Sequence, residues 1–195
     1  MYAIILAGGE NRRIQCDKGL LRVNGRRIVE TNVELLKKYF SKVFISTNSP
    51  ELYFYLGCDM IGDILNFRGP MTGIFSAFVC TRAREIFVVA CDMPFINAGL
   101  VSIITGNYRG QDAVIPFFHG RPQPLPGIYS GRIVNLMEER IRYKRRGMLD
   151  LFDDINVHYI SEQDIVRVDP EGRSFVNINT MDDLRKIKGG NKCLA

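Results

Sequence analysis

Residues 2–19 read YAIILAGGENRRIQCDKG, and this stretch decides the fold. Its first five residues are apolar without a break, which predicts a β-strand buried on both faces of a sheet. Gly8 and Gly9 follow, and because they lack Cβ atoms they let consecutive backbone N–H groups face a phosphate. The same loop carries three cations, Arg12, Arg13 and Lys18. The stretch therefore predicts a strand that ends in an anion-binding turn.

This loop fits neither of the common phosphate-binding motifs. A Walker A loop needs Gly-x-x-x-x-Gly-Lys-Ser/Thr, whereas Lys18 is followed by Gly19. The loop also lacks the Gly-x-Gly-x-x-Gly spacing of dinucleotide-binding proteins. The residue types alone leave open a second interpretation, a tight turn with a solvated basic surface.

Apolar runs of strand length alternate with stretches of helical periodicity along the rest of the chain. We predict strands over residues 2–6, 43–47, 86–91, 113–117, 123–129 and 157–160. Helices are predicted over 28–40, 97–105, 130–142 and 180–188, after Pro50, and from Pro70 to Thr81. This alternation is typical of a three-layer α/β fold with a mostly parallel sheet. The prolines between residues 116 and 129 leave open whether that segment stays in the main sheet.

Composition and charge are those of an ordinary globular protein. The 195 residues include 26 Lys and Arg against 21 Asp and Glu, which gives a net charge of +5. We expect one domain over residues 1–195, large enough to need no metal or disulfide for its core. No apolar run approaches the roughly 20 residues of a membrane span. A signal peptide is not recognisable either, so we expect a cytoplasmic protein without a membrane partner.

The cysteine and histidine content narrows the chemistry. The five cysteines form no Cys-x-x-Cys pair, which argues against a zinc knuckle or a redox motif, and we expect reduced thiols. Two histidines are too few for a His-rich metal centre. We therefore expect chemistry that depends on carboxylates, cations and backbone groups.

Asp92 follows directly on the apolar run 86–91. Ligands of parallel α/β sheets bind outside the carboxyl ends of the strands, so this carboxylate is expected to point into the ligand crevice. An oxygen ligand in that position suits Mg²⁺. The alternative is that Asp92 caps the next helix, although Asn97 is better placed to do so.

Two further segments are candidates for recognition of a base or ring. Gly69-Pro70-Met71-Thr72-Gly73 joins a turn to a helix N-terminus, which favours an anion or a nucleoside edge. Asp63 is a candidate acceptor for the N1–H and N2–H₂ donors of guanine, or else an exposed turn residue. Near the end of the sequence, Asn177 and Asn179 alternate with Val176 and Ile178. The two amides then share one face and can bind a heteroaromatic ring.

Taken together, these segments resemble the molybdenum cofactor guanylyltransferase family, whose members attach GMP to molybdopterin. The family opens with Leu-Ala-Gly-Gly, a few polar residues and Arg-Met-Gly-x-Asp-Lys, and residues 6–18 read LAGGENRRIQCDK. The likeness continues through Gly69-Pro70-x-x-Gly73, Cys91-Asp92-Met93-Pro94 and Asn177-Ile178-Asn179-Thr180, and covers nearly the full chain. It implies a Rossmann-like nucleotidyltransferase fold, the substrates GTP and molybdopterin, and Mg²⁺ as cofactor.

The resemblance also implies roles for individual residues. Those matched to GTP binding are Leu6, Ala7, Gly8, Gly9, Lys18, Asp63 and Asp92, with either Ser46 or Asn48 at the base. Asp92 matches the magnesium ligand, and Lys18 matches the phosphate lysine. Asn177 and Asn179 match the segment on the pterin side.

The expected reaction is a single in-line displacement by the terminal phosphate of molybdopterin on the α-phosphorus of GTP. Arg13, Lys18 and Mg²⁺ on Asp92 are expected to offset the negative charge of the two substrates. Arg145 or Arg146 is expected to hold the acceptor phosphate, and the alternative for both is a solvated basic turn.

Several rival functions stay open at this stage. The chain could use CTP, or a sugar phosphate as acceptor. A non-catalytic nucleotide-binding homologue is also possible, because Gln15 stands where the family has glycine. RNA binding through residues 142–146 is the most distant alternative, and we expect no nucleic-acid partner. Contacts with other proteins of cofactor biosynthesis are expected.

Overall fold

The computed structural model describes residues 1–8, 18–145, 147–178 and 183. The strands are β1 (Tyr2–Leu6), β2 (Arg22–Val23), β3 (Arg26–Arg27), β4 (Val43–Ser46), β5 (Asp59–Ile61), β6 (Glu85–Ala90), β7 (Ala113–Phe118), β8 (Arg121–Pro122), β9 (Gly127–Ser130) and β10 (Val157–Ile160). The helices are α1 (Ile28–Leu36), α2 (Pro70–Thr81), α3 (Ala98–Gly106), α4 (Val134–Arg142), α5 (Met148–Leu151) and α6 (Glu162–Val166). This alternation confirms the predicted α/β fold.

The main sheet has the strand order β10-β7-β9-β6-β1-β4-β5, with β8 paired to β7 at its side. β1 is parallel to β4 and to β6, and β5 is parallel to β4. β9 is antiparallel to both of its neighbours, β6 and β7. The sheet is therefore mixed but mostly parallel around β1, as expected.

Helices cover both faces of this sheet, and the side chains of β1 alternate between two apolar clusters. Ala3 and Ile5 lie in the cluster that also contains buried residues of α1, α3 and α6. Ile4 and Leu6 lie in the other cluster, with buried residues of α2, α4 and α5. The continuous apolar run of β1 is thus explained, because both of its faces are covered.

The segment 123–129, predicted as one strand, differs in the structure. Only its last three residues belong to a strand, β9, which begins at Gly127. Pro124 and Pro126 have no N–H group to donate to a neighbouring strand, so the chain becomes regular only after them. The segment nevertheless returns to the main sheet, since β9 lies between β6 and β7.

Other boundaries differ by a few residues or were missed. The helix predicted over 28–40 ends at Leu36, and the one predicted over 130–142 begins with a 3₁₀ turn, Gly131–Ile133. The hairpin β2–β3, the edge strand β5 and the short helix α6 were not predicted, because each is too short to show a period. The helix predicted over 180–188 lies outside the described residues, apart from Asp183.

None of the helices in the described part of the chain has the length and apolar character that a membrane span requires.

Two glycines of α3 allow a matched test of packing. A Cβ on Gly99 would lie 2.7 Å from Cβ of Val168, whereas a Cβ on Gly106 would meet nothing within 4 Å. We expect Gly99→Ala to destabilise the fold by about 1–3 kcal/mol through overpacking. Gly106→Ala should be neutral or stabilise by up to about 1 kcal/mol, because alanine restricts the unfolded chain. Urea denaturation measures both, and equal midpoints would contradict the packing of α3 on Val168.

Candidate active site

The largest concentration of predicted site residues lies around one cavity of about 230 Å³ at the carboxyl edge of the sheet. Its lining consists of Leu6, Ala7, Gly8, Lys18, Ser46, Asp63, Gly69, Pro70, Gly73, Ala90, Cys91, Asp92 and Leu125. Most of these residues come from the ends of four neighbouring strands and from the start of α2, while Lys18 begins a 3₁₀ turn and Leu125 lies in the loop before β9. The cavity is therefore the crevice that the sequence predicted for a parallel α/β sheet.

Strand register brings the backbone groups of this cavity to one level. Leu6 at the end of β1 lies opposite Ser46 of β4 and Ala90 of β6. Beyond the strands, Ala7 N–H donates to Ser46 O at 2.8 Å and Cys91 N–H donates to Leu6 O at 3.0 Å. The turn at Gly8 and the side chain of Asp92 consequently face the same cavity.

Asp92 and Lys18 form an ion pair inside this cavity. The Lys18 ammonium Nζ donates to Oδ2 of Asp92 at 3.2 Å, and the two side chains are 23% and 14% exposed. The second oxygen, Oδ1 of Asp92, is buried and accepts no hydrogen bond from a described residue. The capping alternative for Asp92 is wrong, because Asn97 caps α3 by accepting a hydrogen bond from Leu100 N–H at 2.8 Å.

The open oxygen of Asp92 fits a divalent cation that arrives with a phosphate. Mg²⁺ is usually held by one or two carboxylates, with water and substrate phosphates completing its shell. In the described ranges, His, Cys, Asp and Glu side chains form no cluster of three or more that could hold a metal by themselves. The residues present therefore fit a magnesium ion shared between Asp92 and a bound phosphate.

Asp63 is held by Asn48 through two hydrogen bonds. The Asn48 amide Nδ2 donates to Oδ2 of Asp63 at 2.7 Å, and the Asp63 backbone N–H donates to Oδ1 of Asn48 at 2.8 Å. Ser46 and Asp63 line the cavity, whereas Asn48 is not among its lining residues. Asn48 thus orients Asp63, and Ser46 is the residue of this loop that faces the cavity.

The surroundings of the Asp63 carboxyl raise its pKa. Burial raises the pKa of the Asp63 carboxyl above its ordinary value, while the hydrogen bond from Asn48 and the charge of Arg68 act in the opposite direction. A half-buried carboxylate with one oxygen bonded to an amide is suited to accept hydrogen bonds from a ligand on the other oxygen.

The start of α2 is shaped by two glycines and a proline. Gly69 has φ 141° and is followed by Pro70 at the first helical position, so the turn needs glycine and the helix starts abruptly. A Cβ on Gly73 would lie 2.9 Å from both Leu6 Cδ2 and Ser46 Oγ. This glycine lets α2 approach the ends of β1 and β4 and directs its N-terminus at the cavity.

The segment before residue 179 lies beside Asp92. Ile178 N–H donates to Asp92 O at 2.9 Å, and Ile178 is fully buried while Asn177 is exposed. The predicted alternation is therefore confirmed for these two residues. Val176, predicted to share the face of Ile178, is 38% exposed and therefore not part of the core.

Leu125 is the lining residue that sequence reasoning missed. It lies between the two prolines that interrupt the predicted strand, and its segment is fixed by two hydrogen bonds. Tyr129 Oη–H donates to Pro124 O at 2.7 Å, and Gln123 N–H donates to Pro116 O at 2.8 Å. The prolines were the available signal, since they mark a segment that leaves regular pairing and can fold over the strand ends.

Some predicted residues are not brought to the cavity. Arg145 lines a separate cavity beside α4, together with Arg140, Tyr143 and Asp154. Its predicted contact with an acceptor phosphate stays a prediction that this placement does not favour. The remaining predicted residues Gly9, Arg13, Arg146 and Asn179 lie outside the described residues.

A mostly parallel α/β sheet with a glycine turn, a lysine and an aspartate at its carboxyl edge has the arrangement expected of the nucleotidyltransferase class. The family model described as MobA-like NTP transferase domain matches residues 3–158. The chain therefore belongs to the MobA-like NTP transferase family.

Relatives and solved structures agree with this assignment. A molybdenum cofactor guanylyltransferase from Desulfosudis oleivorans is 30% identical over 191 residues, covering 97% of this chain and 95% of the relative. The structure of molybdopterin-guanine dinucleotide biosynthesis protein A from Archaeoglobus fulgidus matches with a TM-score of 0.83 and 26% identity over 100% of both chains. A cytidylyltransferase from Thermus thermophilus, with a TM-score of 0.69 and 15% identity over 96% of this chain and 97% of that one, shares the fold alone.

Because Asn48 donates a hydrogen bond to Asp63, removing this donor should change the pKa of the Asp63 carboxyl measurably. We expect Asn48→Ala to raise the pKa of Asp63 further, because the amide no longer stabilises the ionised carboxylate. Arg68→Ala is the matched comparison and should raise the pKa by less, since Arg68 acts only through its charge. Carbon-detected NMR titration of the Asp63 carboxyl measures both. An unchanged pKa in the Asn48 variant would show that the two side chains are not bonded in solution.

Proposed function

We propose that this protein transfers GMP from GTP to the terminal phosphate of molybdopterin and releases pyrophosphate. The observation that carries this proposal is that one cavity contains two carboxylates, each bonded to a different kind of side chain. Asp92 follows β6 and is bonded to a lysine, while Asp63 follows β5 and is bonded to an amide. Relatives that are named molybdenum cofactor guanylyltransferases support the choice of substrates.

The spacing of the two carboxylates along the sheet edge suits a nucleoside triphosphate. β1 and β4 separate β6 from β5, so the two loops are three strand spacings apart. At about 4.8 Å per strand this is roughly 14 Å, the scale of a base joined to its phosphates. We place the phosphates near Lys18 and Asp92, and the base near Asp63.

Asp63 is suited to select guanine over adenine. Guanine presents N1–H and N2–H₂ as neighbouring donors, and an ionised carboxylate accepts from both. Adenine presents an acceptor at N1 and no 2-amino group, so it would offer the half-buried carboxylate no donor besides the one that Asn48 supplies. Asn48 contributes by holding Asp63 in one orientation.

The reaction requires positioning and charge compensation rather than a base. A phosphate monoester has a second pKa of about 6, so the terminal phosphate of molybdopterin is already an anionic nucleophile near neutral pH. One of its oxygens forms the new bond to the α-phosphorus, and the bond to the bridging oxygen breaks, with its electron pair leaving on pyrophosphate.

Each group of the protein then has a task in holding two polyanions together. Lys18 would bind the phosphates of GTP through its ammonium group. Asp92 would hold Mg²⁺, which when bound offsets negative charge on the phosphates. Asn177, beside Asp92, would face the pterin. The roles of Arg13, Gly9, Asn179 and Arg146 stay predictions of the sequence, as do the cytoplasmic location and contacts with other proteins of cofactor biosynthesis.

The test is a comparison of the four nucleoside triphosphates with Mg²⁺ present. We expect GTP to raise the melting temperature most, and GTP with molybdopterin to release pyrophosphate. Preference for CTP, or turnover with a sugar phosphate in place of molybdopterin, would contradict the proposed substrates. Binding without any turnover would support a non-catalytic homologue.

Asp63→Asn is expected to weaken GTP binding by about 10- to 100-fold, because hydrogen bonds to a charged group contribute about 1.5–3 kcal/mol. The weak binding of ATP should not change, since adenine does not use the carboxylate. Asp59→Asn is the control, because Asp59 lies at the opposite end of β5 and pairs with Lys42. Calorimetric titration gives the affinities, and equal losses for GTP and ATP would contradict base selection by Asp63.

Asp92→Asn is expected to lower Mg²⁺-dependent pyrophosphate release by at least about 10²-fold, since the amide keeps the shape but lacks the charge that binds a hard cation. The melting temperature should show that the fold is retained. Asp59→Asn again serves as control and should release pyrophosphate at the wild-type rate. Activity near that of the wild type at saturating Mg²⁺ would remove Asp92 from the metal site.

A further inference from the structure

The Asp92 carboxylate is bonded to the Lys18 side chain through one oxygen, while its other oxygen has no hydrogen-bond partner among the described residues. Lys18 Nζ lies 3.2 Å from Oδ2. Oδ1 is buried and, within the described part of the chain, accepts no hydrogen bond. With side-chain exposures of 23% for Lys18 and 14% for Asp92, bulk water screens this pair only partly. Lys18 therefore balances the negative charge of Asp92 before any ligand enters.

A divalent cation at Oδ1 would meet the ammonium of Lys18 across the same carboxylate. Positive charges a few ångströms apart repel more strongly in a partly buried site than in water, because the effective dielectric constant is lower. While Lys18 stays on Oδ2, the affinity of Asp92 for a metal is therefore lowered. The oxygens of a bound phosphate would offset this repulsion, since they attract both the ammonium and the metal.

The backbone of Lys18 is anchored next to Asp92 by the packing of its turn. Lys18 begins a 3₁₀ turn, and a Cβ on the next residue, Gly19, would lie 3.0 Å from Tyr53 Oη and 3.1 Å from Cys91 Cβ. This packing holds the turn against the residue that precedes Asp92. The four-carbon stem of a lysine has several rotatable bonds, so an ammonium group can follow a phosphate over a few ångströms without movement of its backbone.

We propose that Lys18 is the resident counter-ion of Asp92, and that a metal replaces it only when a triphosphate draws the ammonium away. The inference rests on the proposed function and adds the order in which metal and nucleotide bind to the site. Metal and nucleotide bind together, and the metal alone binds weakly. Lys18 thus acts before the reaction begins, in addition to its predicted contact with phosphate.

The experiment is a titration of the whole protein with Mn²⁺ in the absence of nucleotide, followed by the electron paramagnetic resonance signal of free Mn²⁺. Lys18→Met removes the charge and keeps most of the side-chain volume. We expect the affinity for Mn²⁺ to rise by about tenfold or more relative to the wild type. Lys18→Gln, a second neutral variant, should behave in the same way, and circular dichroism checks that each variant is folded.

Lys42→Met is the matched control for net charge. Lys42 precedes β4 at the opposite edge of the sheet and pairs with Asp59 at 2.5 Å. Its replacement removes one positive charge from the protein but none from the cavity. The affinity for Mn²⁺ should therefore stay at the wild-type value. An equal rise in the Lys42 variant would overturn the inference, because the effect would then come from overall charge.

A further variant locates the bound metal. Adding Asp92→Asn to Lys18→Met should abolish the gained affinity for Mn²⁺. If the gain survives, or if neither Lys18 variant binds Mn²⁺ more tightly than the wild type, the inference is overturned. Because the titration contains no nucleotide, its result is separate from the proposed function. Failure of the wild type to release pyrophosphate from GTP would contradict the function and leave the titration as it stands.

Discussion

The position of β1 between β4 and β6, with both faces covered, determines where every group of the cavity lies. Leu6 pairs with Ser46 on one side and with Ala90 on the other, so three strands end at one level. Helix α2 can reach that level only because Gly73 has no Cβ to collide with Leu6 and Ser46. A polar residue in β1 would be buried without a partner on either face, which explains the unbroken apolar run.

Within this frame, the partner of each carboxylate decides what it can do. Asp92 is bonded to an ammonium on one oxygen and has a second, buried oxygen available to a cation. Asp63 is bonded to a neutral amide and stays an acceptor for uncharged donors. A cavity that contains two carboxylates can therefore accept a polyanion, because one is neutralised by Lys18 and the other stands three strand spacings away, where we propose that the base binds.

The fold itself does not select a base. The cytidylyltransferase from Thermus thermophilus shares it at 15% identity. Selection must come from the loops that follow the strands, and here the loop after β5 carries Asp63 while the loop after β4 carries Asn48. The same sheet can serve different nucleotides because these loops can change without disturbing the packing of β1.

Patterns of a few consecutive residues were enough to predict the fold class and much of the candidate site. The apolar run of β1, the glycines after it, the aspartate after β6 and the Pro70 helix start are each visible in a few consecutive residues. The sequence alone also placed Asn97 as the cap of α3, because a cap depends on residues three positions apart. Short elements such as β5 and α6 were missed, since they are stabilised by neighbours and not by their own periodicity.

Only the tertiary structure decided which distant residues form ion pairs and hydrogen bonds with each other. Lys18 and Asp92 are 74 positions apart, and Asn48 and Asp63 are 15 apart, so no local period couples them. The same holds for Leu125, which enters the cavity because its proline-flanked segment folds back over the strand ends, and for Arg145, which a turn after α4 carries to another cavity. The sequence by itself determined which side chains have the chemistry for a nucleotide site. Their roles depend on which of them meet, and that is set by the long-range pairing of strands and the packing of helices on both faces of the sheet.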